Sequence, residues 1–123
     1  MKRSKLSNLS VEDLVELFAA NGLKQDEAEL AMETRKFRPL FQEMMAIRDE
    51  LRSRPGDQRH ALAAFLDHAN MEVRLNAAKA VVAIAPTAAR KALKAMAATH
   101  HYPQAAEAWM TLDSLHDGSW SPK

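Results

Sequence analysis

Five histidines, His60, His68, His100, His101 and His116, are the residues of this 123-residue chain best suited to hold a metal. None lies in a ligand motif such as HExxH, which would set two imidazoles on one helical face. His60 and His68 flank opposite ends of one predicted helix, roughly 12 Å apart along its axis. The neighbours His100 and His101 point in different directions on any regular backbone. The pattern predicts no metal site and no cofactor. Catalytic patterns are equally scarce, with no GxSxG, no glycine-rich phosphate loop and no cysteine nucleophile. The carboxylates are many, but they fall on polar helical stripes where solvent keeps them ordinary. The expectation is a non-enzymatic protein.

The elements that position these groups are helical. The chain is 47% hydrophobic and has three glycines and no cysteine, a composition that favours helices over sheets. Residues Asp57 to Ala85 read as two helices joined by a tight turn. Asp57 caps a first helix at about Gln58 to Leu66, with Ala61, Leu62, Phe65 and Leu66 forming its apolar stripe. Asn70 caps a second, and from Val73 to Ala85 this helix is apolar almost all round, so it is predicted to be the buried core helix. Its single polar band holds Glu72, Asn76, Lys79 and Ala83. Arg74 falls on the inner side, about 200° round from Glu72, and so requires an acceptor.

The run Leu62, Phe65-Leu66-Asp67, Asn70, Val73-Arg74 and Ala77-Ala78-Lys79-Ala80-Val81 resembles a HEAT repeat, the helical-hairpin unit of α-solenoids. The whole chain is similar to a family of small bacterial HEAT-like proteins with no established function, a likeness that brings no activity with it. The resemblance implies a short right-handed α-α superhelix, of about six or seven helices in HEAT-like hairpins. It also implies that Asp67 and Arg74 form a structural pair tying the turn to the inner helix, with nearby turn carbonyls as further acceptors.

Residues 1 to 9, including Lys2, Arg3 and Lys5, have little to bury and are expected to be mobile. Ser10 opens a helix with Val11, Leu14, Val15 and Phe18 inward, closed by Gly22, and a short acidic helix follows from Lys24 to Glu33. Phe37, Leu40, Phe41, Met44, Ile47 and Leu51 mark a long third helix. Pro39 belongs near its start, which sets a break at Glu33 to Arg38; one kinked helix over 24–53 is the alternative. Pro86 opens a helix to about Thr99, with Arg90, Lys91 and Lys94 on its polar side. The last helix turns Ala105, Ala108, Trp109, Leu112 and Leu115 inward and ends at Gly118; Trp120 in the tail folds back over apolar surface. Met44, Met45, Met96 and Met110 all fall on apolar stripes as core filling. One domain over 1–123 is expected, with 119–123 as a tail.

These features point to a small protein-binding module of the adaptor, specificity-factor or toxin-immunity kind, working through a concave helical face. The residues expected to meet the partner are Glu72, Asn76 and Lys79 on the core helix. Gln104, Glu107, Thr111 and Ser114 on the last helix complete the face. The alternative is a polyanion, such as nucleic acid, on Arg90, Lys91, Lys94 and the arginines of residues 35 to 59. A net charge of +1 argues against it. No stretch approaches the ~20 apolar residues of a membrane span, and the N-terminus lacks the apolar run of a signal peptide. The chain is expected to be cytoplasmic, a monomer or weak dimer, with another protein as its partner.

Overall fold

The computed structural model describes residues 3–123, with side chains from Lys5 onward. It is all-α, as the periodicity predicts: six α-helices and one 3₁₀ segment, with no strand among the described residues. The helices are α1 (Arg3–Leu6), α2 (Val11–Leu30), α3 (Thr34–Ser53), α4 (Met71–Val81), α5 (Pro86–Ala97) and α6 (Gln104–Asp117). No described helix is long and apolar enough to cross a membrane. The chain divides into two compact units, one up to Ala61 and the other Leu62–Lys123, and the boundary falls within the 3₁₀ segment Gln58–Phe65.

The first unit is built on the α2–α3 hairpin. Ser10 caps α2 by accepting from the Asp13 amide at 3.0 Å. Leu14 and Phe18 are buried, while Val11 and Val15 are half-buried. The expected stop at Gly22 does not occur, and α2 runs on for 20 residues without a break. Gly22 is buried inside the helix, where the ~1 kcal/mol helical cost of glycine is outweighed by packing. Side-chain bonds also hold this stretch. Asn21 Nδ2 donates to the Leu40 carbonyl at 2.9 Å and to Glu43 at 3.3 Å, and Gln25 donates to Asn21 at 2.6 Å.

The stop comes instead at Met32, whose φ of 56° is left-handed. Met32 N donates to the Glu29 carbonyl and Glu33 N to that of Ala28, the paired bonds of a Schellman ending. The helix α3 therefore starts at Thr34, which excludes one kinked helix over 24–53. Pro39 is its sixth residue rather than one of its first, and the missing N–H leaves only the Arg35 carbonyl, beside the helix start, without its intrahelical donor. Met44, Ile47 and Leu51 are buried as predicted, whereas Phe41 is 38% exposed. The expectation that residues 1–9 bury little is corrected for the described part. Residues 3–6 form α1, Leu6 is fully buried, and its carbonyl accepts from Arg54 Nη2 at 3.1 Å. Met1 and Lys2 lie outside the described residues.

The predicted helix after Asp57 forms as a 3₁₀ run of eight residues, long for a geometry that rarely exceeds four. In the second unit α4 is the core helix, with nine of its eleven residues buried. Asn70 Oδ1 caps it, accepting from Glu72 N at 2.9 Å and Val73 N at 3.1 Å. Met71, Leu75 and Ala78 pack with Leu93 and Met96 of α5 and Ala108 of α6. Each such Leu or Met contributes roughly 1.5–3 kcal/mol by leaving water. Pro86 begins α5 and left-handed Gly118, at φ 80°, ends α6, both as read from the sequence.

Candidate functional site

The two polar stripes predicted on α4 and α6 do meet, but they meet inside the second unit. Gln104 Nε2 donates to Glu72 Oε1 at 2.9 Å. Glu72 is 3% exposed, Gln104 1%, Asn76 7% and Thr111 8%. Thr111 Oγ1 is turned back onto the Glu107 carbonyl at 2.8 Å. Lys79, Glu107 and Ser114 are half-buried. The reading of Glu72, Asn76, Lys79, Gln104, Glu107, Thr111 and Ser114 as an open partner-binding face is therefore corrected. A helical wheel marks a polar stripe as solvated only if nothing packs on it, and here the first turn of α6 supplies a donor to the first turn of α4. A buried carboxylate requires such donors. Gln104 Oε1 is buried with no hydrogen-bond partner among the described residues, a cost of about 1–3 kcal/mol that belongs to packing.

The pair expected between Asp67 and Arg74 does not form. Arg74 Nε and Nη2 both donate to the His68 carbonyl, at 2.9 and 2.7 Å. Asp67 is exposed and Arg74 half-buried. The turn carbonyl is the acceptor that the inner guanidinium finds. His68 completes this clamp: its Nδ1 accepts from Asn70 N at 2.9 Å, and its ring stands edge-on to Phe65 with centroids 5.6 Å apart. No three His, Asp or Glu side chains among the described residues converge as metal ligands.

A buried cation on the 3₁₀ segment carries no signal in the helical periodicity. Arg59 is 4% exposed, and its Nε and Nη2 fork onto Asp57 Oδ1 and Oδ2 at 2.8 and 2.6 Å. That bond holds the Asp57 carboxyl below its ordinary value, against the opposing effect of burial. Asp57 also accepts from Arg59 N at 3.3 Å, so it does cap the segment as predicted.

The exposed groups that could meet another molecule lie elsewhere. In the second unit Tyr102 is 64% exposed, Trp109 61% and Met110 53%. Trp109 and Met110 share the outer side of α6 with exposed Ala106 and Asp113, in i+3 and i+4 steps, while Tyr102 lies two residues before the helix begins. Trp109 and Met110 were expected inside. Trp109 lies about 100° from the centre of the buried stripe, and that angle is the signal in the sequence that could have placed it outside. Trp120 is half-buried, its amide returning to the Ser114 carbonyl at 3.2 Å. On α5, Lys91 and Lys94 are exposed and Arg90 half-buried, and none has an ion-pair partner among the described residues. In the first unit a cleft of about 580 Å³ opens between α2 and α3, lined by Lys24, Glu27, Ala28, Arg35, Pro39 and Leu40 among others.

A family described as a domain of unknown function (DUF2019) matches residues 12–116 of the chain. The crystal structure of the protein RPA1889 from Rhodopseudomonas palustris CGA009 superposes with a TM-score of 0.94 and is 45% identical in sequence. The match covers 96% of this chain and 98% of that one. No curated protein matches it.

Proposed function

The chain belongs to the DUF2019 family, a domain of unknown function, and from that premise we propose that it is a non-enzymatic protein-binding module, working through the outer side of α6. The observation that carries this reading is the pair Trp109 and Met110, both more than half exposed on α6, with Tyr102 exposed just before the helix. Single exposed apolar residues are ordinary, but adjacent Trp and Met exposed on one helix, with a Tyr exposed before it, have the composition of an interface centre. The reading keeps the HEAT-like view of the 62–81 hairpin and the cytoplasmic setting expected from a cysteine-free chain. It moves the working surface off the Glu72 and Gln104 stripe.

The test is capture from the native host on immobilised protein, comparing wild type with the double variant Trp109→Ala, Met110→Ser. Both side chains are more than half exposed, so the folded state should be little affected. Loss of a specific partner at an unchanged unfolding midpoint supports the reading, and unchanged capture overturns it. A polyanion on Arg90, Lys91 and Lys94 is the second reading, favoured by their lack of ion-pair partners. It predicts binding that falls steeply with salt, whereas binding through Trp109 is nearly salt-independent.

A further inference from the structure

On α3, in the first unit, Arg38, Phe41, Met45, Arg48 and Arg52 follow one another in alternating steps of three and four residues. That spacing, about 3.5 residues on average, is the seam along which one helix packs on another. Glu43 accepts from Asn21 at 3.3 Å and so faces α2. All five seam residues lie about 140–180° round α3 from Glu43, on the side turned away from α2. Arg38, Phe41 and Arg52 are exposed, and Met45 and Arg48 are half-buried.

The seam is cationic at both ends and apolar in the middle. Arg38 and Arg52 lie about 21 Å apart along the axis. Neither has an ion-pair or hydrogen-bond partner among the described residues, and nor has exposed Arg35, one turn before Arg38. Arg48 is held by Asp49 at 2.9 Å and adds little net charge. Phe41 and Met45 sit between the unpaired guanidiniums, one turn apart. Phe41 stacks on Phe37 with ring centroids 6.5 Å apart, which restrains an exposed aromatic. A ring held in this way loses little freedom when it is covered, and a methionine adapts to what covers it.

We propose that this seam takes an acidic amphipathic helix of another protein. Two of its apolar side chains sit on Phe41 and Met45, and its carboxylates meet Arg38 and Arg52 at the two ends. The surface is independent of the one on α6. Its spacing fits a helix better than an extended segment, and a carboxylate can take each guanidinium through two parallel bonds. A second copy offering its own α3 in register would set arginine against arginine at both ends, which disfavours self-pairing along the seam. A nucleic-acid strand repeats its phosphates every few ångströms. It would leave the charge between the two arginines unmatched and lay phosphates over Phe41 and Met45. One helix on one seam covers less than the ~800 Å² per partner of a standard interface, so the association is weak, with Kd about 10–100 µM.

The experiment is fluorescence anisotropy with a labelled, helix-stapled peptide of about 18 residues, whose seam carries glutamate at both ends and two leucines between. It is titrated with protein to about 500 µM at low salt and again near 0.15 M. A twin peptide with lysine for glutamate and a single-stranded oligonucleotide of about 15 nucleotides are titrated beside it. The proteins are the wild type, the double variant Arg38→Glu, Arg52→Glu, and Phe41→Ala, with urea unfolding to check that each folds. The wild type should bind the glutamate peptide at least about tenfold more tightly than its lysine twin. The double variant should invert that preference, which a loss of folding cannot do. Phe41→Ala should weaken the glutamate peptide about fivefold and leave its salt dependence unchanged. The proposal is overturned by a wild type that binds no peptide, by a double variant that keeps the wild-type preference, or by an unchanged affinity in Phe41→Ala. An oligonucleotide that binds more tightly than the peptide also overturns it, giving the arginines to a polyanion. So does a wild-type dimer in sedimentation that the double variant abolishes, which gives the seam to a second copy.

Discussion

Replacing Arg74 by alanine removes a guanidinium whose two nitrogens share one carbonyl oxygen, that of His68, at 2.9 and 2.7 Å. The acceptor is neutral and the side chain half-buried, so the substitution strands no carboxylate. Hydrogen bonds to a charged group contribute about 1.5–3 kcal/mol. Sharing one acceptor and partial access to water bring the expected loss to about 1–2 kcal/mol. A buried Asp67–Arg74 ion pair would instead lose about 3–5 kcal/mol on truncation. Asp67 is exposed, so Asp67→Asn should change stability by less than about 0.5 kcal/mol. The assay is urea unfolding of the wild type, both single variants and the double variant, with Arg90→Ala as a surface control. The expected coupling between positions 67 and 74 is within about 0.5 kcal/mol of zero. A coupling above ~1 kcal/mol would restore the ion pair. Equal midpoints for Arg74→Ala and Arg90→Ala would abolish the clamp.

Met32 occupies a left-handed position at φ 56° and is 85% exposed. Met32→Gly should therefore relieve about 1–2 kcal/mol of strain against a smaller gain in unfolded-state freedom, a net rise in stability of about 0.5–1 kcal/mol that Met32→Ala does not reproduce. Gly118→Ala should do the reverse. Its φ is 80° with no atom within 4 Å of the added carbon, so unfolding experiments should read a backbone penalty of about 1 kcal/mol and no clash. The bond from Arg59 lowers the Asp57 pKa, so its stabilisation is present above the ordinary carboxylate value near 4 and disappears as pH falls through the lower folded value. Asp57→Asn should thus destabilise at neutral pH and flatten the acid end of the stability profile, while asparagine still tolerates the φ of 51°; an unchanged acid limb would refute the linkage.

The fold was legible wherever one residue type settles a local question. Asn70 before an apolar run, Pro86 at a first helical position and Gly118 after the last periodic residue all act as read. Gly22 misled because glycine ends a helix only when the chain needs a left-handed residue there. In α2 that residue is Met32, ten positions on, and bonds from Asn21 and Gln25 hold the helix through the glycine. Leu6 was missed for a related reason. A lone leucine among polar residues has no period, and its burial depends on α3 and on Arg54, 48 positions away.

The candidate site was less legible because a wheel reports which groups share a side and is silent on what covers it. Glu72 and Gln104 share a side, as inferred, and the bond between them closes it. The same ambiguity runs the other way on α6, where Trp109 counts with Ala105, Ala108, Leu112 and Leu115 as an apolar stripe but lies at the edge of that arc. Packing places Ala105 and Ala108 inward instead. Ala108 packs with Met71, Leu75 and Ala78 of α4 and with Leu93 and Met96 of α5, and Trp109, one position on, is turned about 100° away from that contact. The aromatic, the residue type most used at protein interfaces, is thereby left in solvent.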